Sequence, residues 1–199
     1  MTNEPKAIYI VDDDPAVRDA LSVVFSMEGF VVETFSDGDT FIDSASKTQP
    51  ACVMLDVHMP GRSGIEILKA LNADHYPAPI FIISGQGDIP MAVEAIRNGA
   101  FDFIEKPFTA DTVVERVNEG IMAMSQRGAD QPGTFEGADQ LTRREREVLD
   151  AITGGASNKE AGRLLGISPR TVEVHRARIM EKLGARNAAD LVRIVLGHS

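Results

Sequence analysis

Over the first 124 residues, short apolar runs alternate with amphipathic stretches. Ala7-Ile8-Tyr9-Ile10-Val11, Phe30-Val31-Val32-Glu33-Thr34-Phe35, Cys52-Val53-Met54-Leu55, Ile80-Phe81-Ile82-Ile83 and Phe101-Asp102-Phe103-Ile104 are each too short for a helix and read as strands. Between and after them, apolar residues recur at helical spacing, as in Val17, Leu21, Val24 and Phe25, or Val113, Val114, Val117 and Ile121. Helix boundaries are legible too. Pro15 suits a first turn, Ser63 and Asp88 suit caps, Gly29 and Gly99 close helices, and Gly85-Gln86-Gly87 reads as a connector. Five strands alternating with five helices predict right-handed crossovers and an α/β fold: a doubly wound, five-stranded parallel sheet between helical layers.

The period changes after residue 124. Residues 125–137 hold three glycines, a proline and no apolar periodicity, and read as a linker. Beyond it come four short helices. Thr142 with Glu145 and Ser157 with Glu160 fit capping boxes, Ser168-Pro169 is a cap followed by proline at the first helical position, and Asn187 caps the last helix. Only Gly166-Ile167-Ser168 separates the second from the third, the tight connection of a helix-turn-helix. The expected organisation is therefore 1–124, an α/β domain; 125–137, a linker; and 138–199, a small all-α domain.

Charge separates the same two parts. Residues 1–124 carry 8 Lys and Arg against 20 Asp and Glu, whereas residues 137–199 carry 11 against 8, within a chain of net charge −10. Only the second part is suited to meet a polyanion. The single Cys52 lies inside an apolar run, which excludes a disulfide framework. No apolar run reaches the ~20 residues of a membrane span, and the start Met-Thr-Asn-Glu-Pro-Lys lacks the order of a signal peptide. The expectation is a soluble, cytoplasmic protein without membrane contact.

The chemistry gathers at strand ends. The first strand runs into Asp12-Asp13-Asp14 and the third into Asp56, while the fourth and fifth run into Ser84 and Glu105-Lys106-Pro107. In a flavodoxin-like order 2-1-3-4-5, the switch point lies between strands one and three, so Asp12, Asp13 and Asp56 converge. Two carboxylates ~4 Å apart repel by roughly 4 kcal/mol at an effective dielectric of 20, so the cluster calls for a proton or a cation. Oxygen ligands with room for water suit Mg²⁺. A carboxylate nucleophile, a metal, a hydroxyl and a lysine are what phosphoryl transfer onto aspartate requires. Asp14 alone is read as the cap of the next helix. The four histidines have no metal-ligand spacing, and the methionines read as core filling or exposed helix face.

Ile10-Val11-Asp12-Asp13-Asp14-Pro15, Leu55-Asp56-Val57-His58-Met59-Pro60-Gly61, Ser84-Gly85 and Glu105-Lys106-Pro107-Phe108 resemble a response-regulator receiver domain over roughly residues 1–124. The resemblance implies Asp56 as phosphoacceptor, with Asp13, Asp56 and the His58 backbone carbonyl as Mg²⁺ ligands and Asp12 contributing through water. It also implies phosphoryl binding by Ser84 and Lys106, a cis Lys106-Pro107 peptide, and Phe103 as the aromatic switch residue. Many relatives have Thr where this chain has Ser84, and Tyr, with its polar handle, where it has Phe103.

Leu141-Thr142-Arg143-Arg144-Glu145-Arg146-Glu147-Val148-Leu149, Asn158-Lys159-Glu160 and Ile167 to Arg176 resemble the LuxR-type helix-turn-helix. Together with the receiver pattern this is similar to the NarL/FixJ family, nearer its FixJ branch through Gly87-Asp88-Ile89-Pro90-Met91-Ala92-Val93-Glu94-Ala95. From Pro169 to Leu183, Val172, Ile179 and Leu183 can face a core, leaving Arg170, Glu173, Val174, Ala177 and Arg178 largely on the opposite side. Such a face suits DNA: arginine for guanine or phosphate, Glu for cytosine, Ala and Val for the thymine methyl. Lys159, Arg163, Arg176 and Lys182 are candidates for phosphate contact. Ala188, Leu191, Val192 and Val195 form a stripe open to two readings, core or dimer seam.

The expected function is a phosphorylation-dependent DNA-binding transcription regulator and not an enzyme. Its expected partners are a sensor histidine kinase, double-stranded DNA, RNA polymerase and, on phosphorylation, a second copy of the chain. Two rival functions fit the residues less well. A hydrolase with an aspartyl-phosphate intermediate usually carries an acid two residues after its nucleophile, where this chain has His58. A constitutive dimerisation module has no use for the complete Asp13, Asp56 and Lys106 set.

Overall fold

A computed structural model of the chain describes residues 6–85, 89–126, 135 and 137–196. The expected connector at Gln86-Gly87, the Asp88 cap, residues 127–134 and 136 of the linker, and His198 lie outside the described residues. The chain forms two compact units, Met1–Met124 and Ser125–Ser199.

In the first unit, β1 (Ala7–Val11), β2 (Val31–Phe35), β3 (Cys52–Asp56), β4 (Ile80–Ser84) and β5 (Asp102–Glu105) form one sheet of order β2-β1-β3-β4-β5. Every neighbouring pair is parallel. β3 and β4 are buried at all five positions, four apolar residues in each followed by a buried polar one, Asp56 or Ser84, whereas β2 is an edge strand with Val31, Glu33 and Thr34 exposed. Tyr9, Phe35 and Phe41 pack edge-on at that side, with ring centroids 5.2–6.4 Å apart.

Five helices alternate with these strands: α1 (Pro15–Met27), α2 (Gly38–Ala45), α3 (Gly64–Leu71), α4 (Ile89–Arg97) and α5 (Ala110–Gln126). Asp14 caps α1 by accepting from the Ala16 N–H at 2.8 Å, with Pro15 in the first turn. Gly29, at φ +83°, ends that helix in the left-handed region. Ser63 and Glu66 form a reciprocal capping box on α3. The Lys106-Pro107 peptide is cis. α5 runs two residues into the stretch expected to be linker.

The second unit contains α6 (Arg143–Thr153), α7 (Asn158–Leu165), α8 (Pro169–Lys182) and α9 (Ala188–Leu196). Both expected capping boxes form, and Ser168 caps α8 through the Thr171 N–H. α7 ends at Gly166, whose φ of +64° makes the sharp turn into α8. At Gly162 a β-carbon would stand 2.7 Å from the Ile167 carbonyl oxygen, so the missing side chain lets the turn fold back on α7. Leu141, Val148, Leu149, Ala161, Val172, Ile179 and Leu191 make the core. Leu191, 1% exposed, belongs to that core, while Val192 and Val195 are half-buried.

Candidate functional site

Register assembles the acidic site. Val11 pairs with Leu55, Asp56 with Ile83, and Ser84 with Glu105, so β1, β3, β4 and β5 deliver Asp12, Asp56, Ser84 and Lys106 to one edge. The Lys106 N–H donates to the Ser84 carbonyl at 2.7 Å, and the Lys106 side chain reaches back across the sheet end. Its Nζ donates to Asp56 Oδ1 at 2.8 Å and to Asp12 Oδ2 at 3.2 Å. The cation required by the convergent carboxylates is thus supplied first by the chain itself. Asp12, Asp56 and Ser84 are buried, at 1%, 5% and 2% exposure.

Both acids are held at their other oxygen by main chain. Asp12 Oδ1 accepts from the Asp14 N–H at 2.9 Å, and Asp56 Oδ2 from the His58 N–H at 2.7 Å. Burial pushes the Asp12 carboxyl above its ordinary pKa, and the Asp56 charge adds to this against the opposing Asp14 hydrogen bond and Lys106. For Lys106, burial favours the neutral amine. The hydrogen bond and charge of Asp56, with those of Asp12, outweigh it and hold the ammonium above its usual value.

Asp13 and His58 are exposed at the rim, and Phe103 is half-buried on β5. The described residues contain no group of three or more His, Cys, Asp or Glu side chains placed to hold a metal. Sequence reasoning missed two contributors. Arg18 of α1 donates to the Asp12 carbonyl at 2.6 Å, which no sequence pattern signals. Gly64 abuts the Asp56 main chain, for which the only sign was a glycine immediately after the Ser63 cap.

On α8, Arg170, Glu173 and Ala177 are exposed as expected, as is Lys159 on α7. Arg170 and Glu173 lie 3.3 Å apart, each side chain 52% exposed, a surface pair worth ~0–1 kcal/mol. Arg176 is half-buried and donates to Asn158 Oδ1 at 3.4 Å. Two positions differ from the expected outward face. Val174 is 8% exposed, because α8 is covered on more than one side and buries Thr171, Val172, Val174, His175 and Ile179 together. Arg178 turns inward to the fully buried Glu145, 3.6 Å away.

No helix among the described residues is long and apolar enough to cross a membrane. Residues 8–118 match the family model of the response regulator receiver domain, and residues 139–195 that of bacterial regulatory proteins of the luxR family. The chain is 41% identical to the transcriptional regulatory protein FixJ of Bradyrhizobium diazoefficiens, covering 95% of this chain and 94% of FixJ. It is 35% identical to the transcriptional regulatory protein TdiR of Thauera aromatica, covering 98% and 87%. A crystal structure of full-length FixJ from B. japonicum superimposes with a TM-score of 0.58 at 39% identity, covering 95% of each chain. The chain therefore belongs to the two-component response regulators that join a receiver domain to a LuxR-type helix-turn-helix, and it is a phosphorylation-dependent transcription regulator rather than an enzyme.

Proposed function

We propose that Asp56 accepts a phosphoryl group from a sensor histidine kinase, and that this modification drives dimerisation and promoter binding by the helical unit. The observation that carries the reading is the Lys106 ammonium, held between two buried carboxylates at the carboxyl edge of the sheet. In the transfer, an Asp56 oxygen attacks phosphorus, an O–P bond forms, and the N–P bond to the donor imidazole breaks. Ser84 and Lys106 bind the incoming oxygens, and Lys106 leaves Asp12 and Asp56 to do so. Phe103 is the residue whose position follows the occupied site.

The donors fit Mg²⁺. The residues that would hold it offer hard oxygens: the exposed Asp13 carboxylate, Asp56 and the His58 carbonyl, while Asp12 would contribute through water. So few protein ligands suit an ion that keeps several waters. When bound, Mg²⁺ supplies charge neutralisation for the phosphoryl oxygens.

In this reading residues 1–124 are the receiver, 125–137 the linker and 138–199 the DNA-binding domain. Arg170, Glu173 and Ala177 face the base edges, while Arg176 and Lys159 lie toward phosphates. Double-stranded DNA, RNA polymerase and a second copy of the chain are the partners, in the cytoplasm. Phosphorylation adds about −1.5 to −2 charge at a site where Lys106 is the resident cation, which is where the switch begins.

The test is incubation of the full chain with a small phosphodonor and Mg²⁺, read by intact mass and by sizing. The native chain gains one phosphoryl group and becomes dimeric. Asp56→Asn gains none, because an amide is no useful nucleophile. Full uptake by that variant at another mapped residue would sink the assignment.

A further inference from the structure

We propose that Glu145 is a positioning residue for DNA contact: its buried carboxylate holds Arg178 and Lys182 of α8 inward and thereby limits how many cations the helical unit offers to phosphate. The inference rests on the DNA-reading role of α8 given above.

Glu145 is the third residue of α6 and 0% exposed. Its Oε2 accepts from the Thr142 N–H at 2.8 Å, completing a capping box, and also from Lys182 Nζ at 2.7 Å. Its Oε1 lies 3.6 Å from Arg178 Nε. Capping does not require such burial. Among the described residues, the equivalent glutamates of two other capping boxes, Glu66 and Glu160, are exposed and cap with one oxygen.

Arg178 and Lys182 stand four residues apart, so one face of α8 aims both at a single point. Their side chains keep 22% and 25% exposure, which leaves the cations at the edge of the solvent rather than deep in the core. A move by either toward phosphate would take from a fully buried carboxylate one of its two cations, which is unfavourable. Both cations are thereby withheld from the polyanion, whereas Arg170 and Lys159 are exposed.

The test measures equilibrium binding of the full chain, with phosphodonor and Mg²⁺, to a short mixed-sequence duplex over a series of salt concentrations. Glu145→Gln keeps an oxygen for the Thr142 N–H and removes the charge. Its salt slope is expected to steepen by about one to two, at ~0.9 for each further phosphate neutralised. Lys182→Met is expected to leave the slope unchanged beside Glu145 and to lower it by about one in the Glu145→Gln background. A structural role alone would weaken binding without moving any slope. An unaltered slope in folded Glu145→Gln overturns the proposal, and so does a slope lowered by about one in Lys182→Met alone. If Glu145→Gln does not fold, Lys182→Met and Arg178→Met in the native background decide the question by the same criterion. A native chain that binds no duplex overturns the DNA-reading role and this inference together; binding with slopes that contradict those above overturns the inference alone.

Discussion

Gly64 rests its bare α-carbon on the main chain of Asp56: a β-carbon there would stand 2.6 Å from the Asp56 carbonyl oxygen and 2.9 Å from the Val57 α-carbon. Backbone, unlike the end of a flexible side chain, cannot step aside. Gly64→Ala is therefore expected to cost about 1–3 kcal/mol, as overpacking does, and to slow phosphoryl uptake by shifting the strand end that carries the acceptor. Thermal unfolding and the rate of mass gain with a phosphodonor check both parts. An unchanged melting temperature would mean that α3 slides to make room.

Lys106→Met leaves Asp12 and Asp56 buried side by side without their cation. Losing one partner of a fully buried pair costs about 3–5 kcal/mol; since the Lys106 side chain is 31% exposed, about 1–3 kcal/mol is expected. Added Mg²⁺ should restore more stability to this variant than to the native chain, because Asp56, and Asp12 through water, would meet the ion without a competing ammonium. Paired melts with Mg²⁺ and with a chelator measure the difference, and equal recovery in both proteins would count against the site.

Glu173 is an acid on the exposed face of α8, where nearby phosphates would repel it and Arg170 offers only a weak surface pair. In the proposed reading it accepts a hydrogen bond from a base donor such as cytosine N4. Glu173→Gln is expected to change preference at one position per half-site by about 1–3 kcal/mol with little change in salt dependence. Selection from a random pool reads this directly. An identical motif would return Glu173 to the solvent.

Hydrogen bonds from the Ser157 hydroxyl and N–H hold the Glu160 carboxyl below its ordinary pKa. A depressed folded-state value means that the box contributes stability above the unfolded value, near 4.5, and loses it as pH falls through the folded value. Glu160→Gln should lower the melting temperature at neutral pH and converge on the native chain in acid. A gap independent of pH would locate the effect outside the carboxylate.

The sheet order and the acidic edge were legible because parallel strands buried on both faces must be apolar and must end in whatever chemistry they carry. Asp12, Asp56, Ser84 and Lys106 each stand at such an end, so a one-dimensional pattern fixed a three-dimensional edge. Asp14 read correctly as a cap for the same reason. Val174 did not, because helical periodicity distinguishes one buried stripe from the rest, and α8 is covered on more than one side. Arg178 followed Val174 in error: a charged residue reads as solvent-facing unless its partner is known, and Glu145 lies 33 positions earlier in the chain. Arg18 and Gly64 act on the main chain, which side-chain patterns do not encode.

The turn at Gly162 and Gly166 and the buried residues Thr171, Val172, Val174, His175 and Ile179 anchor α8, with the pairs of Arg178 and Lys182 to Glu145 beside them. Arg170, Glu173 and Ala177 project from the same helix and contribute little to keeping it in place. In the proposed reading, in which those three residues face the bases, foldability and vocabulary are written in separate letters. A descendant of this chain could acquire a new operator by exchanging a few outward residues without passing through an unstable ancestor, and an engineer could follow the same route.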